Sequence, residues 1–173
     1  MILCTDATII TETPPLRARW ALKGAPVEVP IMGNRNKGVL YGTLDIKTGA
    51  ICLDQTQKWD QDSFQEHLRH LKAQWRGWNI VLFLDRGSPH TAKRSRKLAQ
   101  ELGIELRWLP VACPELNPME GLWRYLKGTG LANRPTLWME ELMERACRYI
   151  HSLSPVERLR KAGVLSGNFW LAT

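Results

Sequence analysis

CPELNPME, residues 113–120, decides the fold when it is read with IVLFLD, residues 80–85. The five residues from Ile80 to Leu84 are all apolar, the pattern of a strand covered on both faces of a sheet. That run ends in a carboxylate, Asp85. Further on, Asn117 reads as an N-cap and Pro118 as the first residue of a helix, which puts Glu120 at its third position. Thirty-four residues separate the two acids (120 − 85 − 1). A buried strand and a helix start that each deliver a carboxylate to one place are what a divalent-cation site requires.

Outward from this pair, the chain alternates strands and helices. Residues 104–109 form a short strand closed by Pro110, and residues 91–102 a helix stopped by Gly103. Phe64, Leu68, Leu71 and Trp75 recur at helical spacing, which predicts a helix over 60–76 before the strand at 79–84. Residues 38–46 and 50–55 read as a hairpin turning through Lys47-Thr48-Gly49, and residues 2–10 as a β-branched strand. The Gly-, Pro- and Asn-rich stretch 17–38 reads as loop with short strand pieces. In the last third, Met119, Leu122, Trp123 and Leu126 share a helix face, as do Trp138, Leu142, Ala146, Tyr149 and Leu153. Ser154-Pro155 with Glu157 opens another helix. The fold class is therefore α/β, a mixed sheet packed by helices. With 173 residues and no repeat or linker, one domain over 1–173 is expected.

Composition narrows the partners. A net charge of +7 favours a polyanion. Lys93, Arg94, Arg96 and Lys97 crowd one helix, and Arg17, Arg19, Lys23, Arg35 and Lys37 occupy the early loops. Such runs are either solvated faces or nucleic-acid contacts. No apolar run approaches the roughly 20 residues of a membrane span, and no signal-peptide pattern opens the chain. A soluble, cytoplasmic protein is expected. Cys4, Cys52, Cys113 and Cys147 form no CxxC pair, so neither a zinc knuckle nor a disulfide framework is suggested.

Each acid also has a plain structural reading. Asp85 either offers its carboxylate at the carboxyl end of a central strand or caps the turn through Gly87, Ser88 and Pro89. Glu120 either points into a site or closes a capping box with Asn117. Asp6 is the third candidate: a charge in a central strand needs a partner or a metal, whereas an edge position would need neither. Asp45, Asp54, Asp60 and Asp62 read as turn and cap residues. Asp6, Asp85 and Glu120 together suit two magnesium (or manganese) ions, which prefer oxygen ligands. His90 reads as a turn residue or as an accessory group beside the metals, and nothing local supports its pairing with Cys113. Trp75, Trp123 and Trp138 fit helix core positions, while Trp20, Trp108 and Trp170 are candidates for exposure.

LFLDRGSPH, then a basic helix, GIELRWLP and CPELNPMEGLWRYLK, resembles the catalytic domain of DDE transposases of the bacterial insertion-sequence and mariner-type group. TDATII, RARWALKG and YGTLDIKTG fit the family's first acidic strand, its tryptophan–glycine loop and its hairpin, so the resemblance covers nearly the whole chain. It implies a ribonuclease-H-like fold, a five-stranded mixed sheet with helices on both faces. It makes Asp6, Asp85 and Glu120 the catalytic, metal-binding acids and Asn117 and Pro118 supports of the glutamate's helix. His90 becomes a group adjacent to the site, and Arg86, Arg124 and Lys127 join the helix lysines and arginines as DNA contacts. The implied reaction hydrolyses phosphodiesters at element ends and joins the freed 3′-hydroxyls to target DNA.

Two positions depart from the family: Arg86 replaces the usual Asn and Ala7 the usual Glu. Arg86 either pairs with Asp85 or contacts DNA phosphate. The family's N-terminal helix-turn-helix module is expected to be absent from this chain, which is then the second half of a split reading frame, an isolated domain, or a decayed or repurposed remnant; an assembled dimer or a partner polypeptide is the expected working form. Little sequence-specific DNA binding is expected from this chain alone, and association with the bacterial nucleoid follows from the role. Two alternatives keep the same residues: an inactive, DNA-binding remnant, and a nuclease of this fold with another substrate. Convergence of the three acids is the observation that separates turnover from its loss.

Overall fold

The computed structural model describes residues 1–25, 28–31, 33 and 36–171. Arg35 and the last two residues of the C-terminal SGNFWLAT stretch lie outside that set. Five strands build one sheet: β1 (Ile2–Thr11), β2 (Lys37–Asp45), β3 (Ile51–Thr56), β4 (Ile80–Leu84) and β5 (Ile104–Trp108), in the order β3-β2-β1-β4-β5. β1, β2 and β3 pair antiparallel, whereas β1, β4 and β5 run parallel. The mixed sheet of the ribonuclease-H-like class is therefore present.

Six α-helices accompany it among the described residues: α1 (Gln61–Gln74), α2 (Ser88–Thr91), α3 (Lys93–Glu101), α4 (Pro118–Tyr125), α5 (Met139–Ser152) and α6 (Pro155–Lys161). They cover both faces. Side chains alternate along β2, so Val39 and Tyr41 pack with Phe64 and Leu68 of α1, while Leu40 and Leu44 pack with Leu122 of α4 and Ala146 of α5. Asp60 caps α1 through a capping box with Ser63, and Ser154 does the same for α6 with Glu157. Gly103 ends α3 with φ +68°, a conformation that suits glycine.

Three expectations change. The helix read over 91–102 is two helices, because Ala92 is extended at ψ 137° and the preceding turn is closed separately, by the Thr91 hydroxyl donating to the Gly87 carbonyl. The loop between β1 and β2 holds no strand among its described residues. Trp138 is 67 % exposed, since it stands at the N-cap of α5, ahead of the helix face it was assigned to. Trp75 and Trp123 are buried as read, at 7 % and 2 % exposure. No described helix is long and apolar enough to cross a membrane.

Candidate active site

The sheet brings Asp6 and Asp85 together by register. Cys4 of β1 lies opposite Phe83 of β4, and the pairing stops there; Asp6 and Asp85 each stand two residues beyond that last pair, on the two parting strands. β4 ends at Leu84, while β1 continues to Thr11 against β2. Such a divergence at the carboxyl ends of parallel strands opens a crevice. Here it is a cleft of about 340 Å³ lined by Asp6, Asp85, Arg86, Asn117 and Glu120, among others.

Glu120 reaches this cleft because α4 is fastened to β1 at its first turn. Asn117 Oδ1 accepts the Met119 N–H at 3.2 Å, the N-cap bond, while Asn117 Nδ2 donates to the Thr5 carbonyl at 3.0 Å. One side chain thus caps the helix and ties it to the residue before Asp6. Pro118 sits at the first helical position. The capping box read for Glu120 is not formed: the Asn117 backbone N–H donates instead to the Pro114 carbonyl at 2.9 Å. The glutamate is therefore free to face the acids.

Gly42 makes the close approach possible. It pairs with Asp6 across β1 and β2, and a Cβ there would lie 2.5 Å from Met119 Cε and from Trp123 Cη2. Any side chain there would have to displace the Met119 tip and the Trp123 ring, which pack against the sheet at this point.

Asp6 and Asp85 differ electrostatically. Asp6 is 8 % exposed, and its pKa is pushed up to about 7, first by burial and then by the charge of Glu120. Asp85 is held below the usual carboxylate range, chiefly by its hydrogen bond with His90. Asp85 Oδ1 lies 2.5 Å from His90 Nδ1 and accepts the Gly87 N–H at 3.0 Å. Its turn-capping role and its place in the cleft therefore coexist, the first using one oxygen only. His90 is buried against Phe64, with ring centroids 4.5 Å apart, and orients Asp85 rather than facing the cleft.

An all-oxygen donor set, open to solvent and carrying more negative charge than its surroundings balance, fits a hard divalent cation such as Mg²⁺ or Mn²⁺. Arg86 lines the cleft and is exposed, and among the described residues it forms no ion pair with Asp85. The basic residues are not gathered into one surface. Lys93, Arg94, Arg96 and Lys97 are exposed on α3, with Arg94 paired to Asp62 at 3.2 Å and Lys97 to Glu101 at 3.8 Å. Arg124 and Lys127 follow from α4, on the opposite face of the sheet.

Two features escaped the sequence reading. Trp170, read only as a candidate for exposure and 40 % exposed, also donates its indole N–H to the Leu116 carbonyl at 2.9 Å and packs edge-on to Phe83 at 5.3 Å. It clamps the turn Pro114–Leu116 that leads into Asn117. Asp54 is not a turn or cap residue. It lies in β3, with His67 Nδ1 at 2.5 Å and His70 Nδ1 at 2.7 Å. The i, i+3 histidines of α1 were the signal that was passed over.

A parallel-edged mixed sheet with carboxylates at its diverging strands and at a facing helix start defines the ribonuclease-H-like class. The chain belongs to the DDE superfamily endonuclease family, whose sequence pattern matches residues 1–143. It is 28 % identical over 153 residues to the "Insertion element IS630 uncharacterized 39 kDa protein" of Shigella sonnei, covering 87 % of this chain and 44 % of that protein. It is 32 % identical over 89 residues to an uncharacterized protein of Sinorhizobium fredii, covering 51 % of this chain and 64 % of that one. The chain thus spans less than two thirds of either relative.

Among solved structures, the mariner Mos1 paired end complex with Mg superposes with a TM-score of 0.74 at 18 % identity, over 93 % of this chain and 51 % of that one. The catalytic domain of Mos1 mariner transposase gives 0.67 at 17 % identity, over 93 % and 74 %. At such identities the likeness is one of fold.

Proposed function

We propose that this chain is a single catalytic domain of a DNA transposase, in which Asp6, Asp85 and Glu120 hold two divalent cations, Mg²⁺ or Mn²⁺. The observation that carries the reading is the convergence of three carboxylates on one cleft, with one acid pushed up to about 7 by burial and by its neighbour's charge. Family membership and the likeness to two Mos1 paired end complexes, one with Mg and one with Mn, support it.

The residues then divide the work. Asp6 and Asp85, on adjacent strands, and Glu120, from the facing helix, converge on the scissile phosphate. His90 fixes the orientation of Asp85 and keeps it ionised, and Asn117 and Pro118 hold the helix start in place. Bound cations would make water or a DNA hydroxyl nucleophilic and stabilise the departing oxygen. Water attacks phosphorus at an element end and the bond to the 3′-oxygen breaks, leaving a 3′-hydroxyl and a 5′-phosphate; that hydroxyl then attacks a target phosphodiester, whose own bond to its 3′-oxygen breaks and releases a target 3′-hydroxyl. No protein nucleophile is used.

Arg86, Arg124, Lys127 and the α3 residues Lys93, Arg94, Arg96 and Lys97 contact DNA backbone, an affinity that falls with salt. The active assembly is a homodimer or a complex with a DNA-binding polypeptide, associated with the bacterial nucleoid in the cytoplasm. Crystals soaked in manganese test the site by anomalous scattering. The expected peak touches Asp6 and Asp85 with Glu120 adjacent, and disappears in Asp85→Asn. Acids that bind no ion under saturating manganese would leave a DNA-binding relative without turnover.

A further inference from the structure

The α1 face of the sheet holds a second cluster, independent of the carboxylate cleft. Cys52 and Asp54 are two residues apart on β3, so both side chains fall on the face that α1 covers. His67 and His70 are three apart on α1 and project from one side of it. Besides the two histidine contacts of Asp54, Cys52 Sγ lies 4.0 Å from Asp54 Oδ2. One donor atom each from Cys52, Asp54 and His67 falls within 4.8 Å of the others.

A chain of hydroxyls sets the tautomer of His67. Thr5 Oγ1 can only donate to the Gly42 carbonyl, at 3.1 Å. It must then accept from Thr43 Oγ1, at 2.8 Å, which uses the Thr43 proton. Thr43 Oγ1 must in turn accept from His67 Nε2, at 2.7 Å. No other ordering satisfies all three contacts. With the hydrogen on Nε2, neutral His67 presents the Nδ1 lone pair to a carboxylate oxygen only 2.5 Å away. Two facing electron pairs call for a cation, either a proton or a metal ion. A proton would serve Asp54 and His67 alone; a metal ion also gives Cys52 a role.

The geometry points to a second metal site, for a four-coordinate transition-metal ion of the zinc type, held by Cys52 Sγ, Asp54 Oδ2 and His67 Nδ1 with solvent in the fourth position, while His70 Nδ1 holds the other oxygen of Asp54 as an outer-shell partner. Sulfur and imidazole donors select zinc over magnesium, so this site and the carboxylate cleft would take different ions. An imidazole that ligates through one nitrogen while its other N–H is held by a fixed acceptor is the usual outer-shell arrangement. Asp54 and His70 have side chains 23 % and 61 % exposed, which leaves a route in from solvent. On coordination Cys52 releases its thiol proton to solvent. The ion would staple α1 to the edge strand β3, and the His67–Thr43–Thr5 chain would extend that anchorage to the residue beside Asp6.

The test is titration of chelator-dialysed protein with Co²⁺ and with Zn²⁺ in excess Mg²⁺. One Co²⁺ per chain should bind with the intense visible bands of tetrahedral cobalt and a near-ultraviolet thiolate band. Cys52→Ala should remove the thiolate band, and the surface variant His70→Ala should weaken Zn²⁺ by at least about tenfold. Asp85→Asn should change neither. A weak octahedral cobalt spectrum, or a thiolate band that survives Cys52→Ala, would overturn the site. So would the absence of stoichiometric binding, leaving a protonated Asp54–His67 pair.

Discussion

Replacing Asp6 with Asn should make the cation-free protein more resistant to alkaline pH, because the native fold holds that carboxyl where ionisation is costly. Its pKa stands at about 7 in the fold against an ordinary value of 3.8. For an acid raised in this way, the stabilising contribution is complete below the unfolded pKa and is lost as pH climbs through the folded one. The window therefore runs from about 4 to about 7. Integrating the proton linkage between pH 5 and pH 8 gives a loss of about 3 kcal/mol from this one group. In a chain of this size that corresponds to roughly 5–10 °C in melting temperature. Calorimetry of wild type and Asp6→Asn at both pH values, in chelator, isolates the group, because every other ionisable side chain is common to both proteins. The variant should lose less stability by the stated amount, and Mg²⁺ should narrow the gap by stabilising only the wild type. Parallel pH profiles for the two proteins would show that Asp6 is not the group that ionises there, and the electrostatic argument for a cation in the cleft would fall with it.

Three further outcomes follow from single contacts. Gly42→Ala places a Cβ against Met119 and Trp123 and should cost about 1–3 kcal/mol in urea melts; a neutral effect would mean that α4 does not depend on that close approach. His90→Phe keeps an aromatic ring against Phe64 but removes the bond to Asp85. The Asp85 titration followed by carbon-13 NMR should then move up toward its ordinary value of about 3.9, and an unmoved titration would deny His90 its orienting role. Trp170→Ala removes the clamp on the turn before Asn117, so amide exchange across residues 114–120 should quicken while β1 stays protected. Uniform exchange in both proteins would reduce Trp170 to a surface contact.

Much of this architecture could be read directly because it is written in local pattern. The apolar run 80–84 and the helix start Asn117-Pro118 have physical meanings that survive in any context, and both stand where they were read. Local pattern also explains the errors. Trp138 shares a helical period with Leu142 and Ala146, yet periodicity cannot say that the helix begins one residue later. Asp54 resembles other aspartates near turns; only the folding of α1 over β3 brings His67 and His70 to it, across 13 and 16 residues. The ambiguity over Glu120 was of another kind. A capping box and a cleft-facing carboxylate need the same residues at the same positions, and the choice depended on where one backbone N–H donates.

That choice shows how the fold concentrates charge. A helix start would normally use its third-position glutamate to satisfy its own N-terminus. Here the Pro114–Leu116 turn supplies the carbonyl for Asn117, and Asn117 supplies both the cap and the tether to β1, so Glu120 is released from local duty. Asp85 is released in the same manner, since one oxygen closes the turn and holds His90 while the other stays free. Asp6 has no such local role, and its partner across the sheet is a glycine. Each acid is thus positioned by backbone and neighbours that take over its structural work, leaving three carboxyl groups on one cleft, where burial and the charge of Glu120 make the ionisation of Asp6 costly. A site built that way is poised for cations, and its cost in the empty state is the pH-dependent instability that the Asp6→Asn experiment measures.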